Sequence, residues 1–326
     1  MPGIVFDWVV EEGFAEIPTW HPAVGQVIPV ALRRWRKQPL KAVTSGEWRR
    51  FKARLRETRY DLIIDAQGLL KSAWLTRYAS APVVGLARES AREPMASRFY
   101  GRTCSVSWGQ HAVERVRQLF AQALDYPVPT TTGDYGLDRT RLADPADTQP
   151  YVMFLHGTTW DSKHWPEAYW RELAEYADRQ DLSVRLPWGN DSERERAIRI
   201  AEGLENVTVL PKLSLAGVSR MLAGAGACVA VDTGLGHLAA ALDVPTLSLF
   251  GPTDARLTGA YGRSQVHLSS NWVCAPCLQK QCTYQPTADD RARFDTVREQ
   301  PLCFTRVNPQ RVFNELETVL MEEGIL

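Results

Sequence analysis

The sequence predicts an α/β protein made of two Rossmann-like domains, each a doubly wound parallel sheet, facing a central cleft. Three observations carry that prediction. Short apolar runs alternate with amphipathic stretches along the whole 326-residue chain, the pattern of strands joined by crossover helices. Runs such as Ala227–Val231 and Thr246–Gly251 show no polar alternation, as expected of strands covered on both faces. Between the halves, Leu142–Pro150 holds two Pro, two Asp and a Thr, which reads as a linker. The domains are then residues 1–148 and 149–326.

In the first half, Ile4–Val10, Val27–Leu32, Asp61–Asp65 and Val83–Leu86 read as strands. Glu47–Glu57, Leu69–Tyr78 and His111–Leu124 read as helices. In the second half the series is strand Tyr151–His156, helix Pro166–Arg179, strand Ser183–Pro187, helix Asp191–Leu204, strand Val207–Leu210 and helix Ser214–Ala223. Strand Ala227–Val231, helix Leu235–Leu242 and strand Thr246–Gly251 follow, and Asn308–Glu322 is a closing amphipathic helix. Pro166 at a helix start and the box Ser192-x-x-Glu195 mark helix N-termini. Two parallel sheets of this kind bind ligands at the carboxyl ends of their strands.

Composition fits an ordinary enzyme, with 44% hydrophobic residues for two cores. The net charge is zero, which argues against a general nucleic-acid binder. That balance hides an asymmetry. Met1–Pro145 carries 21 Lys and Arg against 15 Asp and Glu, and the remainder 17 against 23. The basic half suggests an anionic partner. No segment has the length and charge-free character of a membrane span. Nor does a basic-then-apolar leader open the chain, so the expected compartment is the cytoplasm.

The stretch after Ala227 is the most informative. A strand turning through Asp232-Thr233-Gly234 into a helix aims unpaired N–H groups and the positive end of the helix dipole at one spot. A diphosphate sits well there, with His237 as a further donor and Asp232 free for sugar hydroxyls. The alternative is an ordinary capped βα turn. After strand Tyr151–His156, the loop Gly157–Pro166 offers Thr158, Thr159 and Lys163, two hydroxyls and a cation for phosphate oxygens. Glu193 either accepts ribose hydroxyls or complements a helix N-terminus. Leu213 offers only backbone, to a base. Four loops at one sheet edge thus each hold a phosphate- or sugar-type group.

With those residues in place, the chain resembles a known family. Phe154–Pro166 (Phe-Leu-His-Gly-Thr-Thr-Trp-Asp-Ser-Lys-His-Trp-Pro), Leu186–Gly189 and Val231–Leu238 are similar to motifs of the lipopolysaccharide heptosyltransferases, GT-B enzymes of glycosyltransferase family 9, and of their type I branch in particular. Phe6–Phe14, Leu32–Lys37, Ile64–Leu69 and Ala91–Pro94 match as well, so the likeness spans nearly the whole chain. It implies inverting transfer of L-glycero-D-manno-heptose from ADP-heptose to a Kdo sugar of lipid A, without metal or cofactor, at the inner membrane surface. It also implies that Thr158, Thr159, Lys163, Thr233, Gly234 and His237 hold the ADP phosphates. Glu193 would take the ribose, the Leu213 backbone the adenine, and Asp232 the heptose.

On the acceptor side, Arg33-Arg34-Trp35-Arg36-Lys37 sets four cations around an indole just after a strand. Arg33, Arg36, Arg92 and His111 are the expected acceptor contacts, since Kdo carboxylates and lipid A phosphates suit forked guanidinium contacts. A solvated basic loop is the plainer alternative.

One departure from the family matters. Its members open with a strand and a Lys-x-Ser-x-x-Gly-Asp loop whose Asp is the general base. This chain runs from Met1-Pro2-Gly3 into the strand that should come second, about one βα unit, on the order of 30 residues, short. The base is therefore expected upstream of Met1, not at Glu11, Glu12 or Asp65, and the chain as written is expected to lack turnover. Cys274-x2-Cys277-x4-Cys282 with Cys303 has a spacing that suits either structural zinc or four reduced thiols. Two further readings remain. Gly234-x-Gly236-x-x-Ala239 fits the short fingerprint of dinucleotide-dependent oxidoreductases, and a non-catalytic sugar-nucleotide-binding remnant is the third.

Overall fold

Parallel strands and helices make up the chain from Phe6 onward. The computed structural model describes residues 3–144 and 149–326, and the chain forms two compact units, Met1–Thr131 and Thr132–Leu326.

In the first unit, β1 (Phe6–Glu11) and β2 (Val24–Val30) lead into α1 (Leu32–Lys37), α2 (Pro39–Thr44) and α3 (Glu47–Glu57). Then come β3 (Ile63–Asp65), α4 (Leu70–Thr76), β4 (Val83–Leu86), β5 (Arg102–Cys104) and α5 (Ala112–Ala123). All pairings are parallel, β1 with β2 and β3-β4-β5 in order, and among the described residues no ladder joins the two sets. Helix α3 buries Phe51 and Leu55 on Ile28, Val30 and Leu75. Helix α5 buries Leu119 and Ala123 on Val84, Leu86 and Cys104. Gly85 must be glycine, because a Cβ there would lie 2.4 Å from the Tyr100 ring. That close approach lets the Tyr100 hydroxyl donate to Asp65 at 2.8 Å.

The second unit runs β6 (Tyr151–Leu155), α6 (Glu167–Asp178), β7 (Ser183–Leu186), α7 (Asp191–Ala201), β8 (Val207–Val209) and α8 (Leu215–Gly224). Next are β9 (Ala227–Val231), α9 (Gly234–Ala241), β10 (Thr246–Phe250), α10 (Ala255–Thr258), β11 (Gln265–Ser269), α11 (Ala288–Arg293) and α12 (Pro309–Glu322). They build one six-stranded parallel sheet in the order β11-β10-β9-β6-β7-β8. Strands β6, β9 and β10 are buried along their whole length, which is why they read as unbroken apolar runs. The core packs Phe154, Trp165, Trp170, Val229, Leu247, Phe304 and Leu316 together. Strand order runs in opposite directions from β6 and from β9, so the loops after these two strands open at the topological switch point.

Several expectations are corrected. The units divide at Thr131/Thr132 and not at 148/149. The reason is that the chain past Thr131 is already fastened to the second unit. The Gly133 N–H donates to the Tyr261 hydroxyl at 3.4 Å and the Arg139 guanidinium to the Asp243 carbonyl at 3.2 Å. Residues 145–148 of the expected linker, and Met1 and Pro2, lie outside the described residues. The basic stretch after β2 is helix α1, not a loop, because Glu12 and Glu47 neutralise Arg34 from two sides. Asn190, not Ser192, caps α7, its side chain accepting from the Glu193 N–H at 3.0 Å. Strands β5 and β11 went unread because Arg102, Thr103, Gln265 and His267 interrupt the apolar signal.

Candidate functional site

At the switch point the loops after β6, β9 and β10 converge on one carboxylate. Asp232 follows β9, and its Oδ2 accepts from Lys163 Nζ at 2.7 Å and from Thr253 Oγ1 at 2.8 Å. Its backbone carbonyl accepts from Thr158 Oγ1 at 3.1 Å. The Lys163 and Asp232 side chains are only 15% and 10% exposed, so water screens the pair weakly. The Lys163 ammonium also lies 4.4 Å from the centre of the Trp160 ring, which presents a π-face to the cation. The structure thus joins Thr158, Lys163 and Asp232 directly.

Thr233 is the N-cap of α9 in extended conformation (φ −147°), with no side-chain cap bond. The first N–H groups of α9 lack intrahelical partners and carry the positive end of its dipole. Gly234 has open space where a Cβ would be, leaving room for a ligand against the backbone. Gly236 instead lies close to the sheet, its Cβ position 3.2 Å from Ala230. His237 is exposed in the first turn. Thr159 is exposed on the facing loop.

Glu193 is held in the first turn of α7, where Oε2 accepts from the Gly189 N–H at 2.7 Å. A Cβ on Gly157 would stand 2.9 Å from the Glu193 carboxyl carbon. The bare Gly157 backbone leaves the Glu193 carboxyl group its place against the β6 loop, so the carboxylate lies on the same rim as Thr158. Leu213 lies just before Ser214, which caps α8 by accepting from the Gly217 N–H at 3.2 Å. Between these two loops stands Trp188, whose indole N–H donates to the Leu210 carbonyl at 2.7 Å. Arg194 and Lys212 each lie 5.8 Å from its ring.

Sequence reasoning missed Thr253 and the strap that holds the Lys163 loop. Ser162 donates through its N–H to the Lys280 carbonyl at 3.1 Å and through Oγ to the Gln279 carbonyl at 2.5 Å. The Leu278 N–H donates to the Pro252 carbonyl at 2.8 Å. The cysteines of this strap bear on the zinc alternative. Among the described residues no three His, Cys, Asp or Glu side chains are placed to hold a metal ion, and all six cysteines are free thiols. Burial first, then the neighbouring Cys282, Cys274 and Cys277, push the Cys303 thiol up to about 12, which keeps it protonated.

In the first unit the expected acceptor residues follow strand ends. Arg33 and Arg36 are exposed on α1, after β2, the Arg33 guanidinium 5.9 Å from the Phe14 ring. Arg92 is exposed after β4, and the neighbouring Glu93 N–H donates to the Gly68 carbonyl at 3.0 Å. His111 caps α5, its Nδ1 accepting from the Val113 N–H at 3.2 Å. The three carboxylates set aside as bases are all engaged. Glu11 accepts from the Arg33 N–H at 3.2 Å, and Glu12 from Arg34 twice at 2.9 Å, which holds it below the usual carboxylate range. Asp65, 5% exposed, accepts from Tyr100, from Ser72 Oγ at 2.9 Å and from the Gln67 N–H at 2.9 Å.

Comparison with known proteins matches this arrangement. Residues 48–288 fit the model of glycosyltransferase family 9 (heptosyltransferase). Lipopolysaccharide heptosyltransferase 1 of Pseudomonas aeruginosa PAO1 is 71% identical over 98% of this chain and 91% of its own. The Escherichia coli K12 enzyme of the same name is 53% identical over 82% and 84%. The structure of E. coli heptosyltransferase WaaC with ADP superposes with a TM-score of 0.80 at 52% identity, over 83% of this chain and 85% of that one. The same enzyme with ADP-2-deoxy-2-fluoro heptose gives 0.77 at 48%, over 90% of each. None of these relatives is a nicotinamide-dependent oxidoreductase, and the glycine fingerprint is here the turn into α9. The chain is an α/β glycosyltransferase and belongs to family 9, the heptosyltransferases.

Proposed function

We propose that the protein transfers L-glycero-D-manno-heptose from ADP-heptose to a Kdo residue of lipid A, inverting the anomeric carbon. The two ligands of the E. coli structures, ADP and an ADP-heptose analogue, support the donor. In this reading Thr158, Thr159, Lys163, Thr233, Gly234 and His237 surround the diphosphate. Glu193 takes the ribose, Trp188 and the Leu213 backbone border the adenine, and Asp232 takes heptose hydroxyls.

The observation that carries the proposal is the Lys163–Asp232 pair beside the N-terminus of α9. As the glycosidic bond to the diphosphate breaks, negative charge grows on the leaving phosphate oxygen. Lys163 and the α9 N–H groups are fixed cationic partners for that charge, and such preorganised donors stabilise it more than water does. Asp232, anchored by Thr253, holds Lys163 in place and keeps Oδ1 available for a sugar hydroxyl. The attacking Kdo hydroxyl needs a base, and Glu11, Glu12 and Asp65 are each held by the hydrogen bonds above.

Arg33, Arg36, Arg92 and His111 in the first unit are the proposed acceptor contacts, with the donor held by the second. Because the acceptor is a lipid, we place the enzyme at the cytoplasmic face of the inner membrane. No helix among the described residues is long and apolar enough to cross a membrane, which fits peripheral attachment.

The test is direct. With ADP-heptose and Kdo-lipid A, the product should carry heptose of inverted anomeric configuration. Product of retained configuration, or failure to bind ADP-heptose, would overturn the reading. ADP binding without transfer is common to a heptosyltransferase lacking its base and a non-catalytic sugar-nucleotide-binding module.

A further inference from the structure

Residues 32–57 carry ten Lys and Arg against two Glu, and they fold into the three short helices α1, α2 and α3. Within them α2 turns two aliphatic side chains to solvent. Leu40 and Val43 are 82% and 67% exposed, and three residues apart on a helix they share a face. Lys37 and Lys41, both exposed, flank them. The opposite side of α2 buries Ala42, so the helix is anchored and its apolar tip points outward by construction. The neighbouring helices add an interfacial aromatic. Trp74 of α4, 39% exposed, stacks on Trp48 of α3 at 5.2 Å, and the Lys52 ammonium lies 5.5 Å from the Trp48 ring.

Isolated apolar side chains ringed by cations, with a half-exposed indole alongside, have the chemistry of the bilayer interface. There aliphatic tips enter the headgroup boundary, cations meet lipid phosphates and Trp sits at the level between. A second copy of this chain is a poor occupant, because it would bring two strongly basic segments face to face.

We propose that α2 docks the protein on an anionic phospholipid bilayer, with Leu40 and Val43 in the headgroup boundary and Lys37 and Lys41 over lipid phosphates. This rests on the peripheral, lipid-acceptor reading above and assigns it a surface.

The test is co-sedimentation with vesicles of phosphatidylethanolamine and phosphatidylglycerol, and with vesicles of phosphatidylcholine alone. The chain should bind the first and not the second. L40D/V43D, and separately K41E, should each weaken that binding by about tenfold, with ADP affinity unchanged as the check on folding. Should L40D/V43D fail that check, K41E decides alone. Failure of the unaltered chain to bind anionic vesicles overturns the proposal, and so does equal binding by K41E. Capture by a soluble polyanion such as heparin with no capture by vesicles also overturns it, in favour of a polyanionic partner. Binding of ADP-heptose separates the two levels. Failure of the unaltered chain to bind ADP-heptose would defeat the heptosyltransferase reading, whereas ADP-heptose binding kept in L40D/V43D beside lost vesicle binding is the expected pattern.

Discussion

Lys163 of the β6 loop and Asp232 at the tip of β9 form an ion pair of 2.7 Å across the point where the strand order reverses. Sequence motifs assign the lysine to a phosphate and the aspartate to a sugar. In the proposed reading one site serves both, the carboxylate assigned to the sugar also steadying the cation assigned to the leaving group. Lys163→Ala should therefore weaken ADP-heptose binding by about 1.5–3 kcal/mol, the range for a lost charge-assisted contact. Calorimetry with ADP-heptose measures it, and an unchanged affinity would remove Lys163 from the phosphate site. Asp232→Asn keeps the hydrogen bond from Thr253 but loses the charge, so it should raise the donor KM less than Asp232→Ala does.

Gly157 gives a second, steric test. Its missing Cβ is the space occupied by the Glu193 carboxyl group, 2.9 Å away. Gly157→Ala should push Glu193 off the rim while leaving the sheet intact. The expected result is a donor KM raised about as much as by Glu193→Ala, with the two effects not adding, because both remove one contact. Full additivity of the two in a double-mutant cycle would show that Glu193 and Gly157 act separately.

The meeting of the β6 and β9 loops at one sheet edge was legible because its parts are local. Strands β6, β9 and β10 are unbroken apolar runs, and the polar residues that end them must lie at a parallel sheet edge. What escaped depends on long-range partners. Helix α1 has the composition of a solvated loop, and it is Glu12 and Glu47, distant in sequence, that fix Arg34 and Trp35. The strap from Leu278 to Gln281 carries no motif for docking on Ser162, since it binds there through backbone carbonyls. Asn190 displaced Ser192 as the cap of α7 because both residue types accept N–H groups and only the backbone path chooses between them.

Acid should destabilise the second unit through its buried imidazoles. His156 is fully buried and its pKa is lowered to about 4, by burial first and then by the Arg196 charge. His164 is shifted the same way by the same causes. A group whose folded pKa is depressed below the unfolded value near 6.5 binds its proton more readily in the unfolded chain. Its neutral form is thus favoured at neutral pH, and stability falls as pH drops from about 6.5 toward 4, by a total on the order of 3 kcal/mol for His156. Urea midpoints measured from pH 7 to pH 5 should fall, and His156→Gln should flatten that slope. A slope identical in the variant would assign the acid sensitivity to other groups.

The basic helix α1 should separate into two kinds of arginine. Arg34 is committed to two carboxylates, although its side chain is 44% exposed. Its guanidinium is forked to Glu12 at 2.9 Å and bonded to Glu47, which also accepts from the Trp35 indole at 2.8 Å. Both carboxylates are held below their usual range by these partners. Arg33 and Arg36 are exposed residues without Arg34's fork to Glu12, and are the ones proposed for an anionic acceptor. Arg33→Gln with Arg36→Gln should raise the acceptor KM and leave the donor KM and the melting temperature near their starting values. Arg34→Gln should instead lower the melting temperature, because Glu12 and Glu47 lose their shared cation and the position of Trp35 on α3 loosens. Steady-state kinetics with each substrate varied in turn, beside a melting curve for each variant, distinguish the two. If Arg34→Gln raised only the acceptor KM with no change in melting, the carboxylate network would be incidental and Arg34 itself would be an acceptor contact.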